Sequence, residues 1–183
     1  EEACTLHLAA IGALVKPPFR EINPDDGSFP CEASVIIPVR NREKTIEDAV
    51  RSVLSQKTRF DFNLIVVDNH STDGTTSILE WLASEDPRLI HIMPQRNDLG
   101  IGGCWTTAIS DPRCGKFAIQ LDSDDLYIDD QVVQTIVDTF YTEKCAMVVG
   151  SYQMVNFKLE EIPPGVIDHK EWTPDNGPNN ALR

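Results

Sequence analysis

Basic residues are scarce in this sequence. Lys and Arg together number 16 against 29 Asp and Glu, which gives a net charge of −13. Proteins that bind a nucleic-acid backbone rely on clustered Lys and Arg, so this deficit argues against a nucleic-acid partner. It does not argue against a nucleotide ligand, because a metal ion and one or two local cations can neutralise a diphosphate.

Paired cysteines and long apolar runs are lacking as well. The five cysteines are scattered and form no C-x-x-C pair, so we expect neither a zinc site nor a disulfide framework. A reducing, cytoplasmic compartment is the simplest interpretation. The apolar run at residues 6–15 is broken by His7 and Gly12, is too short to span a bilayer, and lacks the basic segment of a signal peptide.

The composition is otherwise that of a globular protein, with 41% hydrophobic residues in a chain of 183. That length allows one sizeable core. We expect an N-terminal extension or linker over residues 1–32, because a short candidate helix is followed there by several prolines. Residues 33–156 form the expected core domain. Residues 157–183 are expected to begin a further region that is truncated here, with a possible domain beyond Arg183.

Strand and helix patterns alternate within the core. Repeated units of this kind predict an α/β fold with a mainly parallel sheet flanked by helices. The pattern also predicts that Trp81 packs in the core, because it shares a helical stripe with Ile78 and Leu82. The predicted strands are 34–39, 63–67, 89–93, 117–121 and 146–149, the last with a possible extension to 155, and the predicted helices are 43–56, one around 78–82, 100–110 and 130–143.

Three carboxylates follow the fourth strand within four residues, at Asp122, Asp124 and Asp125. Their mutual repulsion is relieved if a divalent cation or a polar ligand binds there. Mg²⁺ and Mn²⁺ take oxygen ligands, commonly one or two carboxylates together with substrate phosphates. The alternative is a solvated acidic turn in which Asp125 or Asp129 caps the next helix.

Other polar residues follow the first two strands. Arg40 and Glu43 come after the first, and Asp68 and Asn69 come after the second. In a parallel sheet all carboxyl ends lie at one edge, which is where open α/β sheets bind ligands. Either Asp68 or Asn69 alone could simply cap the following turn. Convergence of several polar positions favours a site.

Four segments in this order resemble the nucleotide-binding half of an inverting family 2 glycosyltransferase with the Rossmann-like GT-A fold. They are SVIIPVRNREKTIEDAVRSVLSQ, LIVVDNHSTDGTTSIL, RNDLGIGGCWTTAI and FAIQLDSDD. The resemblance covers residues 34–125 and continues weakly to about Gly150. It implies transfer of a sugar from a UDP- or GDP-sugar to a carbohydrate or other hydroxyl acceptor, with Mn²⁺ or Mg²⁺ as cofactor, in polysaccharide biosynthesis.

The resemblance also implies roles for the matched positions. Asp68 would hydrogen-bond the nucleobase, Asp122 would lie near ribose and metal, and Asp124 would bind the metal that bridges the diphosphate. Asp125 would support the site or face the sugar. The other positions implied in nucleotide-sugar binding are Pro38, Val39 and Arg40 around the base, Glu43 near base or ribose, Asn97 and Gly100 in a loop that closes over the nucleotide, and Ser123 between the two aspartates.

The catalytic base of such enzymes follows the fifth strand, where no motif aligns. Asp168 and Asp175 are the leading candidates, with Glu171 and His169 behind them, and each could instead be a solvated loop residue. Many family members carry two acids after the second strand, whereas this chain has Asp68 followed by Asn69. The nucleobase and the donor sugar therefore stay open.

Two other functions compete with transfer. A sugar-1-phosphate nucleotidyltransferase uses a related sheet but needs a glycine-rich basic loop after the first strand, where this chain reads PVRNRE. A non-catalytic module that only binds nucleotide or sugar, or serves as an interaction surface, is the second alternative.

Overall fold

The computed structural model describes residues 2–16, 18, 23 and 27–169. They divide into two compact units, residues 23–143 and a second unit that combines the helix α1 (Glu2–Ala10) with residues 144–169. The predicted domain boundaries at residues 32 and 156 stay predictions. Among the described residues, no helix combines the length and the apolar character needed to cross a membrane.

Strands and helices alternate through the larger unit, as the sequence predicts. The elements are β1 (Ala33–Val39), α2 (Ile46–Leu54), β2 (Phe62–Asp68), α3 (Thr75–Glu85), β3 (Leu89–Ile92), α4 (Gly100–Ile109), β4 (Phe117–Gln120) and α5 (Val132–Glu143). The four strands form one sheet in the order β3-β2-β1-β4, and every pairing is parallel. The predicted parallel sheet is confirmed.

The central strands β1 and β2 are apolar on both faces because helices cover both sides of the sheet. Ile37 and Val66 point to the face covered by α2, α3 and α5. Ile36 and Val67 point to the opposite face, where α4 contributes Cys104 and Ala108. All four strand residues are fully buried, and each such side chain stabilises the fold by roughly 1.5–3 kcal/mol.

Pro38 lies inside the central strand β1 and is tolerated because β4 is short. Pairing between β1 and β4 ends at Ile36, whose carbonyl accepts a hydrogen bond from the Leu121 amide at 3.2 Å. The backbone N position of residue 38 faces the β4 side, as the backbone groups of Ile36 do. It lies beyond the last β4 residue that pairs with β1. Its missing N–H therefore leaves no gap in the ladder.

Trp81 corrects one sequence-based prediction, because its side chain is 45% exposed on α3. Leu79 and Leu82 take the buried positions of that helix. The guanidinium of Arg51 lies 5.2 Å from the Trp81 ring centroid, a cation–π distance. The helical stripe was identified correctly, but Trp81 lies at its solvent edge.

The second unit contains the strands β5 (Tyr152–Val155) and β6 (Glu161–Ile167), which pair antiparallel. The predicted strand at residues 146–149 is wrong, since these residues adopt no regular structure. An apolar run becomes a strand only where a partner accepts its backbone hydrogen bonds. Here Asn156 forms the turn that supplies such a partner to residues 152–155, because its Oδ1 accepts from the amides of Lys158 and Glu160.

Candidate functional site

The loops that follow β1 and β2 are joined by side chains. Asn41 adopts φ 55°, its amide donates to Ser71 Oγ at 2.9 Å, and its Oδ1 accepts from the Thr72 amide at 2.7 Å. The Arg42 amide donates to Thr75 Oγ1 at 2.7 Å. These contacts fix two sequence-distant loops at one edge of the sheet.

Glu43 belongs to the same network. Its Oε2 accepts a hydrogen bond from the Gly74 amide at 2.9 Å, and its own amide donates to Asp73 Oδ2 at 3.2 Å. Asp73 Oδ1 in turn accepts from the Thr75 amide at 3.0 Å. Two carboxylates therefore meet the positive end of α3, where negative charge is stabilising. In this structure the Glu43 carboxylate anchors α3, and its predicted position near base or ribose stays a prediction.

Asp68 ends β2 and is completely buried. Its Oδ1 accepts from the Ser71 amide at 2.9 Å, its Oδ2 accepts from Thr76 Oγ1 at 2.5 Å, and His91 Nε2 lies 3.7 Å from Oδ2. Burial alone would raise the pKa of the Asp68 carboxyl, but the polar groups of His91, Thr76 and Ser71 hold that pKa below its usual range. Both oxygens already have protein partners.

Asn69, which the sequence marks only as one of the polar residues after the second strand, has a distinctive position in the structure. Its amide donates to the Val39 carbonyl at 2.8 Å, which places the residue at the ends of both central strands. The residue is only 8% exposed, yet its Oδ1 is buried without a hydrogen-bond partner among the described residues. A buried acceptor of this kind is costly unless something donates to it. Its place directly after the strand was the available signal.

The acidic loop after β4 meets the loop after β1. Thr45 Oγ1 donates to the Ser123 carbonyl at 2.9 Å, and Arg42 Nε lies 3.6 Å from Asp124 Oδ2. Asp122 Oδ1 accepts from Gln120 Nε2 at 3.1 Å. Ser123 is buried, whereas Asp122 and Asp124 are exposed. The structure therefore gathers the predicted residues after β1, β2 and β4.

The acidic loop carries concentrated negative charge. Desolvation, and then the neighbouring carboxylates of Asp122 and Asp124, raise the pKa of Asp125. The described residues contain no group of three or more His, Cys, Asp or Glu side chains arranged to hold a metal. Two exposed carboxylates still fit a hard cation, since Mg²⁺ commonly takes one or two from the protein and the rest from phosphates and water. Asp122 and Asp124 are the residues that could hold one.

The remaining predicted positions lie around this edge. Pro38 is half-buried and Val39 buried at the end of β1, and Arg40 is exposed just beyond it. Asn97 is exposed in the segment that precedes α4, and Gly100 begins that helix with φ 57°. A positive φ favours glycine at this position.

Of the two leading candidate bases, one lies among the described residues. Asp168 directly follows β6 in the second unit. Asp175 lies outside the described residues, as does Glu171. Both assignments stay predictions.

Comparison with known families decides the class. The model of the family described as "Glycosyl transferase family 2" matches residues 34–179. The chain belongs to glycosyl transferase family 2. The resemblance carried by the four sequence segments is therefore confirmed.

Solved structures confirm the GT-A fold. The chain superposes on Staphylococcus aureus TarS residues 1–349 in complex with UDP-GlcNAc with a TM-score of 0.52 and 30% identity, over 61% of this chain and 31% of that one. A mannosyltransferase from Pyrobaculum calidifontis in complex with GDP-Man and Mn²⁺ gives a TM-score of 0.54 at 22% identity, over 85% of this chain and 44% of that one.

A curated relative is the GalNAc(5)-diNAcBac-PP-undecaprenol beta-1,3-glucosyltransferase of Campylobacter jejuni. It is 34% identical over 92 residues, which are 50% of this chain and 29% of that protein. The chain spans less than half the length of the curated relatives of this kind.

Proposed function

We propose that this chain forms the donor-binding part of an inverting glycosyltransferase, which moves a sugar from a UDP- or GDP-sugar to a hydroxyl of a carbohydrate acceptor in polysaccharide biosynthesis. The observation that carries the proposal is the joining of the loops after β1, β2 and β4 at one sheet edge. Thr45 and Arg42 bring the acidic loop to this edge while two of its carboxylates stay exposed.

The nucleotide would bind at the ends of β1 and β2. Asn69 Oδ1 would accept a hydrogen bond from an N–H group of the nucleobase. Pro38 and Val39 lie beside this position, and Arg40 would supply positive charge. Asp68 would contribute indirectly, because its carboxylate oxygens fix the position of the loop that contains Ser71. The other residues assigned to the donor are Glu43, Asn97, Gly100 and Ser123.

The diphosphate would lie by the acidic loop, with Mn²⁺ or Mg²⁺ held by Asp124 and Asp122. Such a cation supplies positive charge that stabilises a diphosphate leaving group. Arg42, already 3.6 Å from Asp124, is a second source of positive charge at this point. Both carboxylates are exposed, so a bound donor can reach them.

In the transfer step the acceptor oxygen forms a bond to the anomeric carbon as the bond from that carbon to the diphosphate oxygen breaks. The electron pair of the broken bond leaves with the diphosphate, and attack from the opposite side inverts the anomeric configuration. A carboxylate takes the hydroxyl proton. Asp168 and Asp175 are the residues we assign to this role.

Two observations bear on the alternatives and on the compartment. The loop after β1 contains no glycine, so it lacks the phosphate-binding loop that a nucleotidyltransferase needs. The five cysteines are scattered and form no C-x-x-C pair, which favours a reducing compartment, and we propose the cytoplasm.

Calorimetric titration tests the proposal. UDP and GDP are each titrated with and without Mn²⁺ into the wild type, Asp124→Ala, and the control Asp61→Ala, which removes an exposed carboxylate elsewhere. We expect metal-dependent binding of one nucleotide that is lost in Asp124→Ala and kept in the control. Nucleotide binding that is independent of Mn²⁺ and unaffected by the Asp124 substitution would refute the assignment. A turnover assay on the full-length enzyme then distinguishes sugar transfer from nucleotide binding alone.

A further inference from the structure

His70 follows Asn69 and adopts φ 58°, in the left-handed region. For a residue with a Cβ this conformation costs roughly 1–2 kcal/mol. Its neighbours hold it there, since the His70 amide bonds the Asp68 carbonyl at 2.9 Å and the Ser71 amide bonds the Asp68 carboxylate. A glycine would adopt the same conformation without strain. The presence of a histidine in this strained backbone conformation therefore calls for an explanation.

The imidazole reaches a distant segment. His70 Nε2 lies 3.1 Å from the carbonyl oxygen of Arg96, 26 residues further along the chain. A carbonyl oxygen only accepts hydrogen bonds, so Nε2 carries the hydrogen and donates it. The side chain thereby connects the loop that contains Asn69 with the segment that leads into α4.

The segment of residues 95–98 has little else to hold it. Arg96 and Asp98 form an ion pair with each other, at 2.9 Å, which does not attach the segment to its surroundings. Within the described part of the chain, the His70 contact is the one hydrogen bond that links residues 95–98 to another segment. Leu99, which packs against the smaller core, anchors only the far end.

We propose that His70 is a positioning residue, which fixes the segment containing Asn97 beside the nucleotide-sugar site and so raises the affinity for the donor. The part concerning the donor rests on the proposed function. The strain at position 70 is retained because a glycine there, although relaxed, could not make the bond to Arg96.

Trypsin reports the contact directly. The carbonyl that His70 binds belongs to the Arg96–Asn97 peptide bond, which trypsin cleaves, and the Arg96 side chain is exposed. Cleavage requires the segment to leave the protein surface, so its rate follows the local opening equilibrium. Loss of one hydrogen bond should raise the cleavage rate at Arg96 by roughly fivefold. Cleavage after the exposed Arg113 provides an internal reference in the same digest.

Three variants separate the effect of the His70–Arg96 hydrogen bond from the effect of the backbone strain at position 70. His70→Ala loses the bond and keeps the strain, His70→Gly loses both, and His70→Gln restores an N–H donor of similar reach. We expect faster cleavage after Arg96 in the Ala and Gly variants, partial restoration by Gln, and a higher melting temperature for Gly than for Ala. Unchanged cleavage after Arg96 in His70→Gly would overturn the proposal.

Calorimetry with UDP or GDP and Mn²⁺ tests the effect on the donor. We expect nucleotide affinity to fall by about fivefold in His70→Gly although this variant melts no lower than the wild type. Wild-type affinity in His70→Gly, combined with faster cleavage, would reduce His70 to a structural contact and overturn its role in binding. If the wild type binds no nucleotide, the proposed function fails, and with it the role of His70 in binding, while the cleavage rates still decide whether the contact exists.

Discussion

Arg42 Nε lies 3.6 Å from Asp124 Oδ2, so the loop after β1 supplies a cation to the acidic loop after β4. Both side chains are about half exposed. An ion pair in this setting is worth roughly 0.2–1 kcal/mol, because water screens it. The guanidinium therefore balances the acidic loop without blocking it, and it competes with any cation that binds Asp124.

Replacement of Arg42 should expose this competition. We expect Arg42→Gln to bind Mn²⁺ alone about two- to fivefold more tightly at low salt, since 1 kcal/mol corresponds to about a fivefold change. Isothermal calorimetry without nucleotide measures the affinity. Arg51→Gln, which removes the same charge from an ion pair on α2, is the matched control. An equal gain in both variants would show that only net charge matters.

Asp68 should make stability depend on pH. Polar groups around the buried carboxyl lower its pKa in the folded protein, whereas in the unfolded chain the pKa returns to about 3.9. Protonation therefore favours the unfolded state, so this stabilisation is present above about pH 4 and is lost as the pH falls further.

The comparison with Asp68→Asn measures that contribution. We expect this variant to be roughly 2–3 kcal/mol less stable than the wild type at pH 7, and the difference to shrink between pH 5 and pH 3. Urea unfolding at each pH gives the free energies. Asp61→Asn, at an exposed position, should show no such convergence. A constant difference for Asp68→Asn across this range would contradict the assigned pKa shift.

Asn69 and Asn41 should separate binding from stability. The Asn69 Oδ1 has no partner among the described residues, so Asn69→Ala should keep the melting temperature and weaken nucleotide binding about fivefold. Asn41 Oδ1 accepts from the Thr72 amide, so Asn41→Ala should lower the melting temperature. Scanning calorimetry and nucleotide titration test both variants. A marked loss of stability in Asn69→Ala would assign that side chain to the fold instead.

The sequence predicts the parallel sheet because each buried strand is a local apolar run, such as residues 34–39. The same local patterns also located the acidic loop after β4. They could not identify the partner of Glu43, since the Gly74 amide lies 31 residues away. They also missed the contact of His70 with Arg96, which depends on how two loops fold back on each other. Strand ends can be found from periodicity, but loop contacts need the tertiary structure.

At residues 146–149 and at Trp81, the sequence patterns predict structure that the protein does not form. Both satisfied a local rule, an apolar run in one case and helical spacing in the other. A strand needs a pairing partner, and a stripe residue needs a covering layer, and neither condition can be read from a single segment. The same limit applies to Asp168 and Asp175, which follow no recognisable pattern.

Tyr127 and Tyr141 carry hydroxyls in opposite situations. Tyr127 Oη is buried with no partner among the described residues, and burial raises its pKa. Tyr141 Oη donates to Glu32 and accepts from Lys116 at 3.0 Å. We expect Tyr127→Phe to stabilise the protein by about 1 kcal/mol and Tyr141→Phe to destabilise it by about 1 kcal/mol. Thermal unfolding measures both, and a loss of stability in Tyr127→Phe would mean that an ordered water satisfies its hydroxyl.

Gly115 and Gly102 should respond oppositely to alanine. A Cβ at Gly115 would lie 2.7 Å from the carbonyl carbon of Ala33, a backbone atom that cannot move aside without disturbing the start of β1. A Cβ at Gly102 would meet nothing within 4 Å, and the residue lies inside α4. We expect Gly115→Ala to cost about 3 kcal/mol of unfolding free energy. Gly102→Ala should add roughly 0.5–1 kcal/mol, because alanine loses less backbone entropy in a helix.

Urea unfolding of the two glycine variants gives these free energies, and nucleotide titration of Gly102→Ala adds a second result. Gly102 lies two residues after Gly100, at the start of the helix that follows the Asn97 segment. If residues 95–98 keep one conformation when nucleotide binds, a stiffer first turn of α4 leaves nucleotide affinity unchanged or raises it. A more stable Gly102→Ala that binds nucleotide less tightly would instead show that the helix start must move when the donor binds.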